Sequence, residues 1–576
     1  MIGLISATAA GAAARDRLAA AWPDRTRVYD GPVPGAVRAA FAACEQVVCF
    51  LATGAVVRLI APLLSDKASD AGVVCVDEGG RFAVSLVGGH GGGANELARE
   101  VGDVLGARPV VTTATDAVHV TALDTLGLPV EGDVAGVSRA LLDGEPVALR
   151  AEVPWPLPAL PVGEEGSYTV RLTDRHTSPR EREVVLRPPS LVVGVGASRG
   201  APVEEVLGLV EAAVRDAGLS VRSVAELATV DAKAGEPGIV RAAERLGVPL
   251  VTYPAEELAG VDVPNPSGAP LAAVGTPSVA EAAALARAGR GGELLVAKRK
   301  SERTDGRPAM ATCAVVRRPA RGRLAVVGLG PGARDLLTPR AEAELRRAAV
   351  LVGLDQYVDQ IRDLLRPGTR VLESGLGAEE ERARTAVEEA RRGQAVALIG
   401  SGDAGVYAMA SPALAEASDD IDVVGVPGVT AALAAGAVLG APLGHDHVSI
   451  SLSDLHTPWE VIERRVRAAA EADLVVTFYN PRSRGRDWQL PKALSVLAEH
   501  REPATPAGVV RNASRPDESV RLTTLAALDP ATVDMMTVVT VGNTATREIA
   551  GRMVTPRGYR WQHTGRAEQG ERAVSR

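Results

Sequence analysis

A single histidine stands inside a run of five glycines, Gly88-Gly89-His90-Gly91-Gly92-Gly93-Ala94-Asn95-Glu96, just before a predicted helix from Ala94 to Leu105. Glycine lets the backbone approach a ligand or a neighbouring strand without interference from Cβ, and the loop exposes His90 at a helix N-terminus. An unperturbed imidazole titrates near about pH 6.5, so His90 is suited to act as a base at neutral pH, while the N–H groups of Gly91 to Ala94 lie where a helix dipole favours negative charge. Asp116 or Glu96 would orient the ring, and the sequence does not choose between them. The plainer alternative is a structural turn whose histidine caps the helix. A second glycine-rich stretch, Gly322 to Thr338 (GRLAVVGLGPGARDLLT), runs an apolar strand, Leu324 to Val327, into Gly328, Gly330, Pro331 and Gly332 and then into a helix. Such a turn brings bare backbone to the carboxyl edge of a parallel sheet, where α/β proteins keep their ligand crevices. The run Gly194 to Gly200 (GVGASRG) resembles a dinucleotide fingerprint only superficially, because no acidic residue ends a clear second strand about 20 residues on.

The elements that must hold these groups alternate strand and helix. With 576 residues the chain is too long for one core and is expected to form roughly three to five domains. Aromatics are only 3% while glycine (60) and proline (38) are plentiful, so the cores must be built from Ala, Val and Leu with many sharp connections, as in α/β architecture. The predicted division is an N-terminal α/β domain (1–125), a small middle module (126–188) with a proline cluster, a second α/β domain (189–317), and a two-lobed region (322–560) that splits near residue 446. Residues 561–576 read as a loose tail. Lys298-Arg299-Lys300 reads either as a charged turn or as a basic grip on carboxylates. A net charge of -8 argues against wholesale nucleic-acid binding. No apolar run approaches the ~20 residues needed to span a bilayer, and the N-terminus lacks a basic segment before its apolar part, so the expectation is a cytoplasmic protein away from membranes. Cys44, Cys49, Cys75 and Cys313 have no CxxC spacing, which fits a reducing compartment and no protein-held metal.

Five short motifs in one order, Ala52 to Arg58 (ATGAVVR), Ala61 to Lys67 (APLLSDK), Asp77 to Gly80 (DEGG), the His90 loop and Thr112 to Asp116 (TTATD), resemble the N-terminal part of cobalt-precorrin-5A hydrolase. Leu191 to Val316 is similar to the C-terminal domain of the same family. Ser401 to Tyr407 (SGDAGVY), Pro427 to Ala431 (PGVTA), Ser451 to Trp459 (SLSDLHTPW), Tyr479 to Leu490 (YNPRSRGRDWQL) and Val510 to Ala513 (VRNA) resemble the tetrapyrrole methylase family, and most closely its precorrin-3B C-17 methyltransferases. The resemblance implies an α/β multidomain chain with a C-terminal two-lobe class III (tetrapyrrole) methyltransferase fold. It also implies a bifunctional enzyme of cobalamin synthesis. One half would transfer a methyl group from S-adenosylmethionine to C-17 of precorrin-3B or cobalt-factor III with ring contraction. The other would open the δ-lactone of cobalt-precorrin-5A and release acetaldehyde, with His90 as the base.

S-adenosylmethionine carries no phosphate, so an anion cradle does not explain Gly328 to Gly332. By resemblance, Pro331, Gly402, Asp403, Val406, Thr430, Ala431, Asn480 and Ala513 surround the cofactor, and Gly330 and Gly332 border the macrocycle. Ring contraction needs proton transfer, for which Asp454, His456, His445 and Tyr479 are candidates. Arg482, Arg484, Arg486 and Arg511 would pair with substrate carboxylates, which suit a guanidinium fork. The resemblance further implies a homodimer that works beside other corrin-pathway enzymes. The rival readings are a non-catalytic corrinoid carrier in place of the hydrolase half, and a same-fold methyltransferase acting on RNA or protein.

Overall fold

The computed structural model describes residues 1–66, 69–114, 118–302, 308–375, 377–483 and 485–558, which divide into two compact units, one built on residues 1–320 and the other on residues from 321 on. The first unit opens with a six-stranded sheet of β1 (Ile2–Ser6), β2 (Thr26–Val28), β3 (Gln46–Phe50), β4 (Gly72–Val76), β5 (Phe82–Val87) and β6 (Arg108–Val110), in the order β2-β1-β3-β4-β5-β6. Strands β1 to β4 pair in parallel and β5 runs antiparallel to β4. Strands β3 and β4 are continuous apolar runs because helices cover both faces of the sheet.

A four-stranded sheet follows, with β7 (Val130–Gly132), β8 (Val147–Ala151), β9 (Tyr168–Leu172) and β10 (Glu183–Leu186) in the order β7-β10-β9-β8. The Arg187 side chain, only 1% exposed, leaves this sheet and donates to the Glu131 carboxylate at 2.8 Å. The third sheet, in the order β13-β12-β11-β15-β14, consists of β11 (Leu191–Ala197), β12 (Val224–Val230), β13 (Leu250–Tyr253), β14 (Glu293–Lys300) and β15 (Ala311–Arg317). Lys298-Arg299-Lys300 is therefore strand and not turn, and two of its cations are engaged within the protein: Lys298 Nζ donates to the Asn265 carbonyl at 2.6 Å and Arg299 pairs with Asp216 at 2.6 Å.

The second unit has two lobes. The first is an all-parallel sheet of β16 (Arg323–Gly328), β17 (Val350–Leu354), β18 (Arg370–Ser374), β19 (Ala395–Gly400) and β20 (Asp422–Val426), in the order β18-β17-β19-β16-β20. Its helix Glu379–Arg391 buries Ala383, Ala386, Val387 and Ala390, the i, i+3, i+4, i+7 stripe expected of an amphipathic helix on a sheet. After the short strand β21 (Gly440–Ala441) comes the mixed sheet of the second lobe, β22 (His447–Ser451), β23 (Val475–Tyr479), β24 (Pro506–Arg511), β25 (Ser519–Thr524) and β26 (Thr537–Val541), ordered β22-β23-β26-β24-β25. Strands β27 (Arg547–Ile549) and β28 (Arg552–Val554) form a hairpin that pairs with β21.

All four cysteines are buried and free, and burial pushes the Cys49 and Cys313 thiols up to about 12, so neither is a ready thiolate. Among the described residues no helix is long and apolar enough to cross a membrane, and no cluster of three or more His, Cys, Asp or Glu gathers as metal ligands.

Three strand ends of the parallel lobe meet backbone to backbone. A Cβ placed on Gly428, just after β20, would lie 2.2 Å from the Gly402 carbonyl oxygen and 2.7 Å from that of Gly328. Gly428→Ala is therefore expected to lower the unfolding free energy of the second unit by about 1–3 kcal/mol, the usual range for overpacking. Gly425→Ala, where no atom lies within 4 Å, is expected to stay within about 1 kcal/mol. Denaturant titration of both variants checks the pair.

Candidate functional site

The carboxyl edge of the parallel lobe gathers three loops, after β16, β19 and β20. Gly330 and Gly402 exchange backbone hydrogen bonds at 3.0 and 2.8 Å, forming an isolated bridge between the first two. Asp403 joins the second to the third, with one carboxylate oxygen accepting from Gly405 N–H at 2.8 Å and the other from Gly428 N–H at 3.0 Å. Gly330 (φ +76°) and Gly332 (φ +142°) occupy the left-handed region, and a Cβ on Gly332 would lie 2.7 Å from the Arg515 side chain. Both glycines thus have a backbone reason for being glycine apart from any ligand. Arg515 Nε donates to the Pro331 carbonyl at 2.9 Å and Ser514 Oγ accepts from Ala333 N–H, so the Gly328–Gly332 loop is held against the segment that carries Ala513.

The two lobes are also joined by tyrosines. Tyr479, at the end of β23, has its hydroxyl 2.5 Å from Thr430 Oγ1 and accepts the Ala432 N–H at 2.8 Å. Tyr407, at φ +51°, donates to the Ser449 carbonyl at 2.8 Å, and the two rings pack at 5.3 Å. The Tyr479 hydroxyl is thereby committed to the start of the helix Ala431–Leu439. Asn480 follows at φ +50° and donates to Ser451 Oγ at 3.1 Å. Arg486 donates to the carbonyls of Leu452 and Asn480 at 2.9 and 2.7 Å, fastening the ends of β22 and β23 together. Desolvation lowers the Arg486 pKa, and the Asp454 carboxylate opposes that shift. Asp454 itself accepts from Gln489 Nε2 at 2.9 Å.

The remaining candidates separate. Arg511 is paired with Asp534 at 2.7 Å and Asp517 at 3.2 Å, and the Asp534 hydrogen bond and charge raise its pKa. Arg482 donates to the carbonyls of Pro530 and Ala531, and Arg484 lies outside the described residues. His445 and His456 are exposed, with His445 bonded to its neighbour Asp446. The Val406 N–H donates to Asp403 O, closing the turn that carries both. Sequence reasoning missed Asn512, which is 7% exposed at φ +50° and whose Oδ1 has no hydrogen-bond partner among the described residues. It sits beside Ala513, and an Asn in a left-handed turn after a strand is a signal that one sequence carries.

In the first unit, the His90 loop lies at the amino edge of β1, β3 and β4, because β5 runs against them and delivers its carboxyl end there. Gly92 meets Gly72 at the start of β4, and Gln46 Nε2 donates to the Gly92 carbonyl at 3.2 Å. The motifs 52–58 and 77–80 occupy the opposite, carboxyl edge. Gly93 N–H donates to the His90 carbonyl at 2.8 Å and Ala94 N–H to that of Gly88 at 3.1 Å, so two of the expected anion-facing N–H groups are already committed. Asp124 stands beside His90, with Oδ1 3.9 Å from Nδ1, while Glu96 pairs with Arg99 at 3.1 Å; Asp116 lies outside the described residues. Asp124 was not anticipated, since it is 34 positions from His90, in the turn Leu123–Thr125.

A parallel α/β lobe and a mixed lobe joined at a cleft of small residues and main-chain groups make the second unit a class III methyltransferase fold. Residues 323–529 match the model of the Tetrapyrrole (Corrin/Porphyrin) Methylases, 191–316 that of Cobalamin synthesis G C-terminus and 35–116 that of Cobalamin synthesis G N-terminal. The chain is 46% identical over 239 residues to a probable cobalt-factor III C(17)-methyltransferase of Salmonella typhimurium, covering 41% of this chain and 99% of that one. It is 44% identical over 248 residues to the cobalamin biosynthesis protein CobIJ of Mycobacterium bovis, and spans about half of that longer protein (41% of this chain, 48% of the other). The crystal structure of the methyltransferase CobJ is similar at 39% identity and a TM-score of 0.39, over 41% of this chain and 100% of that one. The chain belongs to the tetrapyrrole methylase family, and its first 320 residues carry the two cobalamin synthesis G modules.

Tyr479→Phe removes a hydroxyl that serves two partners and strands the Ala432 N–H. The second unit is expected to lose about 1–3 kcal/mol of stability, read by denaturant titration, with methyl transfer impaired but not abolished.

Proposed function

We propose that the chain is a bifunctional enzyme of corrin-ring synthesis. The second unit methylates C-17 of precorrin-3B or cobalt-factor III, and the first hydrolyses the δ-lactone of cobalt-precorrin-5A with release of acetaldehyde. The observation that carries this reading is the 46% identity across 99% of a probable cobalt-factor III C(17)-methyltransferase, in a chain that also carries both cobalamin synthesis G modules. The same reading makes the working form a cytoplasmic homodimer, for which exposed Leu433 and Val438 on the helix Ala431–Leu439 and Val520 on β25 supply apolar surface.

S-adenosylmethionine supplies an electrophilic methyl group on a sulfonium. The residues present fit it: Gly402 (φ +67°) presents bare backbone beside Thr430, and the buried Asn512 Oδ1 is an acceptor without a partner among the described residues, matching the cofactor's amino donors. Pro331, Gly402, Asp403, Val406, Thr430, Ala431, Asn480 and Ala513 would border it. The macrocycle carbon is the nucleophile, so alignment by these loops supplies much of the catalysis and no nucleophilic side chain is needed. Asp454, held by Gln489 beside the Arg486 cation, is the group best placed to handle the proton of ring contraction. The bound cations Arg482, Arg486 and Arg511 leave less free charge for substrate carboxylates than their sequence implies.

In the first unit His90, with Asp124 at its Nδ1, would take a proton from water as it adds to the lactone carbonyl. The N–H groups left for the oxyanion are those of Gly91 and Gly92. The test incubates the protein with S-adenosylmethionine and either metal-free precorrin-3B or its cobalt counterpart, and separately with cobalt-precorrin-5A. A product one methyl heavier from one of the first pair, and trapped acetaldehyde from the second, are expected. His90→Ala should abolish acetaldehyde release and leave methylation intact. Methylation without acetaldehyde from the unmodified protein would instead support the carrier reading of the first unit.

A further inference from the structure

The cleft beside the glycine loop has a charge and a surface that name its ligand. It encloses about 930 Å³ between the helix Val33–Ala43, the starts of β3 and β4 and the loop from His90 to Gly93, near the upper end of the range for small-molecule sites. Its acidic groups are satisfied within the protein. Glu45 pairs with the Met1 ammonium at 3.1 Å, and Asp70 accepts from Ser65 N–H and Oγ at 3.0 Å. Desolvation would raise the Asp70 pKa, but those Ser65 hydrogen bonds outweigh it and hold the carboxyl below its ordinary range. Arg38, on the same wall, is exposed and has no ion-pair or hydrogen-bond partner among the described residues. Among the described charged groups that line the cleft, the one without a partner is therefore the Arg38 guanidinium fork.

The glycines of the loop point the same way. Gly88 and Gly93 sit at φ +67° and +71°, and a Cβ on Gly89 or Gly92 would come within 2.9 Å of Thr113 Cγ2 or Gly72 Cα. Each of these four is required by the fold. Gly91 is not: its φ is not left-handed, nothing lies within 4 Å of a Cβ built there, and it lines the cleft. A flat ligand lying on the backbone would require glycine at that position.

We propose that this amino-edge cleft binds the rim of a polycarboxylate tetrapyrrole, with Arg38 gripping a side-chain carboxylate and the bare backbone at Gly91 lying against the macrocycle, so that the reacting ester is delivered to His90. The proposal rests on the hydrolase reading for its substrate and adds the residues that select it. Arginine suits the task because its fork matches carboxylate geometry in two parallel hydrogen bonds.

Cobyrinic acid, a stable corrinoid polycarboxylate, and its heptamethyl ester have the same ring and differ in charge, which makes them the probes. With the full-length protein, the acid is expected to protect the amides of residues 33–46 and 86–93 from hydrogen exchange and to inhibit acetaldehyde release competitively. The ester should do neither at the same concentration. Arg38→Gln should raise the inhibition constant of the acid and the KM at least about tenfold, the loss expected for a charge-assisted hydrogen bond, with kcat unchanged. Gly91→Ala should weaken the acid while leaving Tm unchanged. Equal binding of acid and ester, or unchanged KM and protection in Arg38→Gln, would overturn the proposal. Protection of both segments without acetaldehyde from the unmodified protein would sink the hydrolase reading and leave the binding site standing. Acetaldehyde release with no protection of 33–46 would do the reverse.

Discussion

Asp403 ties together two loops, the one after β19 and the one after β20. Its carboxylate accepts one N–H from its own turn, at Gly405, and one from the loop after β20, at Gly428. A carboxylate that receives two backbone donors is a strong local constraint, because each bond is charge-assisted. The backbones it joins are in contact at Gly328, Gly402 and Gly428: a Cβ on Gly328 or Gly428 would lie within 2.7 Å of the Gly402 carbonyl oxygen, and Gly402 itself sits in the left-handed region at φ +67°. This junction fixes the floor of the cleft. The second lobe is then fastened to it by Tyr479 on Thr430 and Ala432, by Tyr407 on Ser449 and by Arg515 on the Pro331 carbonyl. A site with little charge and few side-chain ligands is workable because main-chain groups held by such bonds need no further ordering when a ligand arrives.

The first unit places its chemistry differently. In open parallel sheets the ligand crevice is normally at the carboxyl ends of the strands. Here the reversal of β5 brings the His90 loop to the amino edge, against the close approach of Gly72 and Gly92. The motifs that resemble one hydrolase family are therefore divided between the two edges of one sheet, with residues 52–58 and 77–80 opposite His90. A mutation survey of this unit should treat the two edges as separate sites.

The strands with continuous apolar character were legible in the sequence, since β11, β16, β19 and β23 are covered on both faces and have little choice of residue. The helix Ala94–Leu105 was legible from its glycine entry and its Gly106 exit. Strand β25 was not, because Ser519–Thr524 is a largely exposed edge strand whose polar side chains carry no burial pattern. The sheet β7 to β10 was hidden for a related reason: its strands are three to five residues long, and the proline cluster Pro154 to Pro161 interrupts the chain between β8 and β9. At the sites, residue types were legible and partners were not. Nothing local connects His90 to Asp124, or Arg511 to Asp534, and the sequence could not tell that Gly428 serves packing while Gly91 does not.

The most direct measurement is a calorimetric titration of S-adenosylhomocysteine into the full-length protein and its Asp403→Ala variant. If the Asp403 junction shapes the cofactor cleft, the variant binds at least about tenfold more weakly, since two charge-assisted hydrogen bonds that order the loops are gone. An unchanged Kd in a folded variant would contradict the account and move the cofactor away from the loops that Asp403 joins.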